Sequence, residues 1–344
     1  MALLIEVEHA VQTFRTPRGV VHALNDVSIA IEAGQVLCLV GESGSGKTTL
    51  GKLVAGLRRP TSGRLLFEGQ DVWKADKRTF DAYRRAVQIV HQDPYASLNP
   101  VQKVRDMLAA PLERHRLTRG AETTRRIREI LAMVDLTPPD DYIDKFPHQL
   151  SGGQRQRVSI ARALTLGPRL VVADEAVSMV DTSIRASLLN TLLRLRAELR
   201  VTFLFITHDL GIAEYFGQSG DTAVMYLGRI VERAPTGDLV ANSQHPYTRA
   251  LLAAIPEPDP DLTRAKPKVA LRSLEIPSLL RLPSGCTFHP RCPLFEPGLC
   301  DVVSPELVWL NARREVACHV VAREAGNGKV AVAQGAELDE RLAR

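Results

Sequence analysis

Val36-Leu-Cys-Leu-Val-Gly-Glu-Ser-Gly-Ser-Gly-Lys-Thr-Thr49 is the stretch from which the fold can be read. Its first five residues are a continuous apolar run of strand length, the pattern of a strand buried on both faces. The run ends in Gly41-x4-Gly46-Lys47-Thr48, and a helical pattern follows from about Lys47 to Gly56. A buried strand, a glycine-rich turn and a helix in that order make a phosphate-binding loop. Glycine lets the backbone turn tightly enough for successive N–H groups to face phosphate oxygens, and the helix N-terminus adds a favourable dipole. Gly41, Ser43, Gly44, Ser45, Gly46, Lys47, Thr48 and Thr49 are therefore expected to cradle a nucleotide's phosphates. Lys47 would reach the outer phosphates, and the Thr48 hydroxyl would take a place on Mg²⁺.

A second apolar run, Leu170-Val-Val-Ala-Asp174-Glu175, completes the expected site. Asp174 emerges at the carboxyl end of this strand, where parallel sheets place their ligands, and can hold Mg²⁺. Glu175 can orient and deprotonate an attacking water. Further strands are expected at Leu3–Val7, Val27–Ile31, Arg64–Phe67, Val87–His91, Thr202–Ile206 and Ala223–Leu227. Leu188, Leu192, Leu195 and Leu199 mark a helix between two of them, which implies right-handed crossovers and an α/β fold with a mainly parallel sheet. Helical patterns dominate from about Gln102 to Leu166, where Ile127, Ile130, Leu131 and Val134 share one face.

Composition sets the outer limits. The 344 residues are 45% hydrophobic, 24% charged and 5% aromatic, typical of a folded chain of two domains or one large domain with an appendage. The net charge of +5 is a mild bias that gives no support to nucleic-acid binding. No apolar stretch approaches the roughly 20 residues of a membrane helix. The N-terminus lacks the features of a signal peptide, so a cytoplasmic location is expected.

Leu150-Ser-Gly-Gly-Gln-Arg-Gln-Arg157, ahead of the Asp174 strand, separates the nucleotide-binding families. It resembles the signature of ATP-binding cassette (ABC) proteins. The resemblance implies a P-loop NTPase (RecA-like) core with an antiparallel β part at its N-terminus and an inserted helical subdomain at about 97–165. It also implies ATP and Mg²⁺ as cofactors and a head-to-tail dimer. In that dimer Ser151, Gly152, Gly153 and Gln154 of one subunit face the phosphates bound by another. By the same resemblance Gln92 stands in the glutamine loop that contacts Mg²⁺ and water. Asp181 lies in the loop crossing the dimer interface, and His208 is the switch histidine at the γ-phosphate. Phe14 is the candidate for stacking on adenine. Two departures stand out: Ala176 where proline commonly follows the catalytic glutamate, and Met179-Val180 in place of Ala-Leu.

After Leu252 the texture changes. Prolines punctuate residues 256–283, which read as an extended linker, and four of the five cysteines follow. His245-Pro-Tyr-Thr-Arg-Ala-Leu-Leu252 and Gly285-Cys-Thr-Phe-His-Pro-Arg-Cys-Pro293 resemble the oligopeptide/dipeptide importer ATPases. This implies an ABC ATPase domain at 1–255 and a four-cysteine region at 284–321; residues 322–344, Ala/Gly/Glu-rich with no sustained hydrophobic face, are expected to be a disordered tail. The implied partners are two membrane-spanning permease subunits, a second cassette (a related chain or a second copy) and, indirectly, an extracytoplasmic substrate-binding protein. The cassette would sit peripherally on the cytoplasmic face of the membrane. Relatives in this family handle nickel or oligosaccharides, so those cargoes stay open beside peptides.

Cys286, Cys292, Cys300 and Cys318 are spaced Cys-x5-Cys-x7-Cys-x17-Cys. Disulfides are disfavoured in the cytosol. Zinc sites normally carry closer cysteine pairs, so this spacing better suits an iron–sulfur cluster, and the resembled family binds [4Fe–4S] in this region. His289 and His319 keep zinc open as an alternative. Cys38, inside an apolar run, is expected to be a small buried hydrophobe. The competing function is a soluble ABC ATPase in regulation or nucleic-acid metabolism. The gap of about a hundred residues between Lys47 and the signature holds none of the long coiled coils of the cohesin-like and DNA-repair members.

Overall fold

A computed structural model describes residues 2–255, 259, 261, 264 and 269–326. In chain order the strands are β1 (Leu3–Thr16), β2 (Gly19–Glu32), β3 (Val36–Val40), β4 (Ser62–Phe67), β5 (Gln70–Asp71) and β6 (Val87–Val90). They continue with β7 (Leu170–Asp174), β8 (Thr202–Thr207), β9 (Asp221–Tyr226), β10 (Arg229–Pro235), β11 (Val308–Asn311) and β12 (Arg314–Val316). They form two sheets. An antiparallel sheet has the order β2-β1-β4-β5, and an eight-stranded sheet has the order β11-β12-β10-β9-β3-β8-β7-β6. From β9 to β6 the larger sheet is parallel; β10, β12 and β11 extend it antiparallel.

Strand alternation sorts the core into two layers. Leu37, Leu39, Val172, Leu204 and Ile206 face the small sheet and the helix Lys47–Val54. Val36, Cys38, Val40, Ala173, Phe203 and Phe205 face the opposite layer of helices. Every residue of β3, β7 and β8 is buried, as expected of parallel strands covered on both sides. Cys38 is fully buried, and burial raises its thiol pKa to about 12, which leaves it an inert packing group.

Between β6 and β7 the chain forms the helices Val104–Arg114, Ala121–Met133 and Gly152–Leu164. Their buried faces, which include Ile127, Ile130 and Leu131, join the second core layer. Residues 269–283 of the proline-rich segment have no helix or strand, and they pack back on the cassette. The His22 amide donates to the Leu279 carbonyl at 3.2 Å. The cysteine region is stapled to β10 by a buried ion pair, Arg314 to Glu232 at 3.1 Å. A short helix, His319–Glu324, occupies the start of the expected tail; residues 327–344 lie outside the described residues.

Candidate functional site

Because β3, β8, β7 and β6 are parallel neighbours, the loops leaving their carboxyl ends crowd one edge of the sheet. The loop after β3 is built on close backbone approaches. A Cβ on Gly41 would lie 2.1 Å from the Met225 carbonyl, and one on Gly46 would lie 2.3 Å from that of Ala23. Gly46 caps the following helix at φ 108, the left-handed region that favours glycine. The buried Lys47 Nζ turns back on the loop, donating to the carbonyls of Gly41 at 2.7 Å and Glu42 at 2.9 Å. Burial holds its pKa below the usual lysine value, against the opposing pull of Glu175, Asp174 and Glu42.

The remaining groups converge from the neighbouring strand ends. The Thr48 hydroxyl donates to Asp174 Oδ1 at 3.0 Å. Burial is the main cause raising the Asp174 pKa, and the Glu175 charge adds to it, while the Thr48 hydrogen bond works against it. Glu175 has φ 48, an uncommon conformation for a non-glycine residue, and its amide is held by the Ile206 carbonyl at 3.0 Å. Its side chain is gripped from two other loops. Gln92 Nε2 donates to Oε2 at 2.8 Å, and His208 Nδ1 lies 3.3 Å from Oε1. Such convergence orients one carboxylate, the arrangement a general base requires.

These side chains open on a cleft of about 780 Å³. Ser43, Gly44, Gly46, Lys47, Thr48, Thr49, Gln92, Glu175 and His208 line it, with Phe14 and Val21 at one wall. Ser45 is buried in the loop, and the Arg58 guanidinium sits 4.7 Å from the Phe14 ring centroid. Thr48, Gln92 and Asp174 also line an adjoining hollow. Their oxygens are the hard donors that suit Mg²⁺, and a divalent cation would offset the unfavourable burial of the Asp174 charge.

Ser151, Gly152, Gly153, Gln154 and Asp181 do not line this cleft. Ser151 caps its helix in a reciprocal pair with Gln154, at 3.3 and 2.9 Å. Gly153 has a packing reason to be glycine: a Cβ there would come within 2.6 Å of Ile184 Cγ2. Ala176 is buried, while Met179, three positions on, is exposed.

Comparison with known proteins agrees with the geometry. Residues 24–178 match the ABC transporter family, and residues 231–300 match the oligopeptide/dipeptide transporter C-terminal region. The chain is 46% identical over 309 residues to a probable peptide ABC transporter ATP-binding protein of Sinorhizobium fredii, covering 90% of this chain and 85% of that protein. The chain belongs to the ABC transporter ATP-binding family. Its cassette is accordingly an ATPase. A di/tripeptide transport ATP-binding protein of Pseudomonas aeruginosa is 44% identical over 87% of this chain and 90% of its own length. Among solved structures, a dimeric bacterial ABC transporter cassette matches with a TM-score of 0.60 at 27% identity, covering 67% of this chain and 98% of that one.

The expected metal site is corrected in part. Cys286, Cys292, Cys300 and Cys318 do gather: the Cys286 amide donates to the Cys300 carbonyl at 2.8 Å, and the charges of the other three weigh on the Cys286 thiol. Burial is the larger influence, lifting Cys286 to about 12 and Cys292 to about 11. Among the described residues, however, no group of three or more His, Cys, Asp or Glu side chains is arranged to hold a metal ion. His289 Nδ1 and His319 Nε2 lie against backbone carbonyls, and neither histidine belongs to a metal-holding group among the described residues.

Sequence reasoning did not find several contributors to the cleft or its loop, Val21, Ala23 and Glu42 among them. Leu251 and Leu279 line the cleft, and Tyr247 and Arg291 hold Glu42. The Tyr247 and Arg291 positions fall inside motifs that carried the family resemblance, but nothing local announces contacts with residues more than two hundred positions away.

Proposed function

We propose that this chain hydrolyses ATP to drive a peptide importer, seated at the cytoplasmic face of the membrane against two permease subunits. The observation that carries this reading is the convergence of Lys47, Thr48, Glu175, Gln92 and His208 on one cleft, with Asp174 bonded to Thr48 in the adjoining hollow, in a chain similar to peptide-transport ATP-binding proteins. Among the described residues no helix is long and apolar enough to cross a membrane, which fits a subunit that borrows its membrane path from partner chains. An extracytoplasmic binding protein would deliver the cargo; nickel and oligosaccharide are the alternative cargoes.

In the proposed reaction Glu175 accepts a proton from water as its oxygen attacks the γ-phosphorus in line. The bond from that phosphorus to the β–γ bridging oxygen breaks, and ADP leaves. Gln92 and His208 fix the carboxylate that takes the proton. Lys47 must leave the Gly41 and Glu42 carbonyls to meet the phosphates. Thr48, Asp174 and Gln92 would hold Mg²⁺, which neutralises charge developing on the phosphate oxygens. Phe14 stacks on the base in this reading. Ser151 to Gln154 and Asp181, which lie off the cleft, serve the site of a second cassette in a head-to-tail dimer.

Co-expression with neighbouring permease genes and reconstitution into proteoliposomes tests the main reading. Peptide and binding protein together should raise ATP hydrolysis and move labelled peptide inward. A chain that purifies without integral membrane proteins and whose ATPase responds to nucleic acid would favour the soluble alternative.

A further inference from the structure

We propose that the C-terminal region is a working part of the ATP site: Arg291 and Tyr247 are positioning residues for the phosphate loop, and Leu279 is a nucleotide-binding residue. The proposal rests on the reading of the cleft as an ATP site. Its centre is Glu42, the residue after Gly41 in the loop, which itself lines the cleft. A free carboxylate there would repel the triphosphate. Arg291 neutralises it through a two-pronged pair, Nη1 to Oε2 at 2.9 Å and Nη2 to Oε1 at 3.2 Å. The Arg291 side chain is only 8% exposed, and its guanidinium lies 5.8 Å from the Tyr226 ring centroid and 5.7 Å from that of Phe288.

The backbone of Glu42 is held as well. Its amide donates to the Tyr247 hydroxyl oxygen at 2.8 Å, while its carbonyl accepts from Lys47 Nζ at 2.9 Å. When Lys47 swings to the phosphates, the Gly41 and Glu42 carbonyls lose their cation. The clamp from Tyr247 and Arg291 then keeps the loop in its receptive shape, so less ordering is paid on binding. Leu279 comes from the segment ahead of Cys286 and lines the same cleft as Phe14, fixed by the His22 amide at 3.2 Å. Arg291 immediately precedes Cys292, so whatever fixes the thiols fixes the residue that quiets Glu42.

Calorimetric titration of the full chain with MgATP, in a Glu175→Gln background that prevents turnover, tests the proposal. Arg291→Gln should weaken MgATP about tenfold, the order expected for exposing an unpaired carboxylate to a polyanion. Adding Glu42→Gln should restore affinity to within about threefold, because the repelling charge is then gone. Tyr247→Phe and Leu279→Ala should each weaken binding by about three- to fivefold with unchanged circular dichroism. Rescue by the double substitution is the readout that a merely structural role for Arg291 would not give. If Arg291→Gln is too unstable to titrate, the double substitution, Tyr247→Phe and Leu279→Ala still decide the matter. Unaltered affinity in these folded variants, or a double variant as weak as Arg291→Gln, overturns the proposal. Failure of the Glu175→Gln parent to bind MgATP would overturn the ATP reading instead.

Discussion

The phosphate loop and the C-terminal cysteine region both bear on one cleft, yet the chain encodes them in opposite ways. The loop is local: strand, glycines, lysine and the start of the helix lie within fourteen consecutive residues. The C-terminal region acts at long range. Arg291 meets Glu42 across 249 positions, and Tyr247 meets it across 205. The loop can be read from neighbouring residues, while its outer support exists only where distant segments meet.

The largest expected effects break the local part. Lys47→Ala should weaken ATP binding at least about a hundredfold, because its charge-assisted hydrogen bonds to the phosphates are lost. A binding titration checks this, and near-normal affinity would remove Lys47 from its role. Next comes the staple of the distant part. Glu232 is fully buried and Arg314 nearly so. Arg314→Met should cost about 3 kcal/mol in denaturant unfolding, since the carboxylate then keeps only its amide donors from Gln244 and His245.

A smaller effect separates the two regions by pH. His245 is buried at the start of the helix Pro246–Ala253, its Nδ1 accepting from the Tyr247 amide at 3.1 Å, and burial pushes its pKa down to about 3. The unfolded chain therefore takes up this proton first as pH falls. The stability that neutral His245 supports is complete above about pH 6.5 and is lost progressively toward pH 3. His245→Asn, which keeps a cap acceptor, should flatten the decline in melting temperature between pH 7 and 5. An unchanged slope would show that other groups control it.

How much could be read without coordinates follows the same division. β3, β7 and β8 were legible because burial on both faces leaves continuous apolar runs bounded by polar residues. The positions of Glu175 and His208 at the strand ends followed from that. β1 and β2 extend well beyond their expected apolar cores, since their outer halves are half-exposed hairpin carrying mixed residues. β11 and β12 were missed entirely. They are three or four residues long and gain their identity by pairing, β12 with β10 and β11 with β12, contacts no local pattern reveals. The four cysteines were visible as a count and a spacing, but the meeting of Arg291 with Glu42 was not.

The central claim is that Glu175, held by Gln92 and His208, takes the proton from the attacking water. Steady-state phosphate release from Glu175→Gln, measured beside MgATP binding on the same preparation, tests it most directly. Binding should persist while turnover falls by about 10²–10⁴-fold. A variant that binds MgATP and hydrolyses it at close to the unaltered rate would contradict the assignment and the reading of the site built on it.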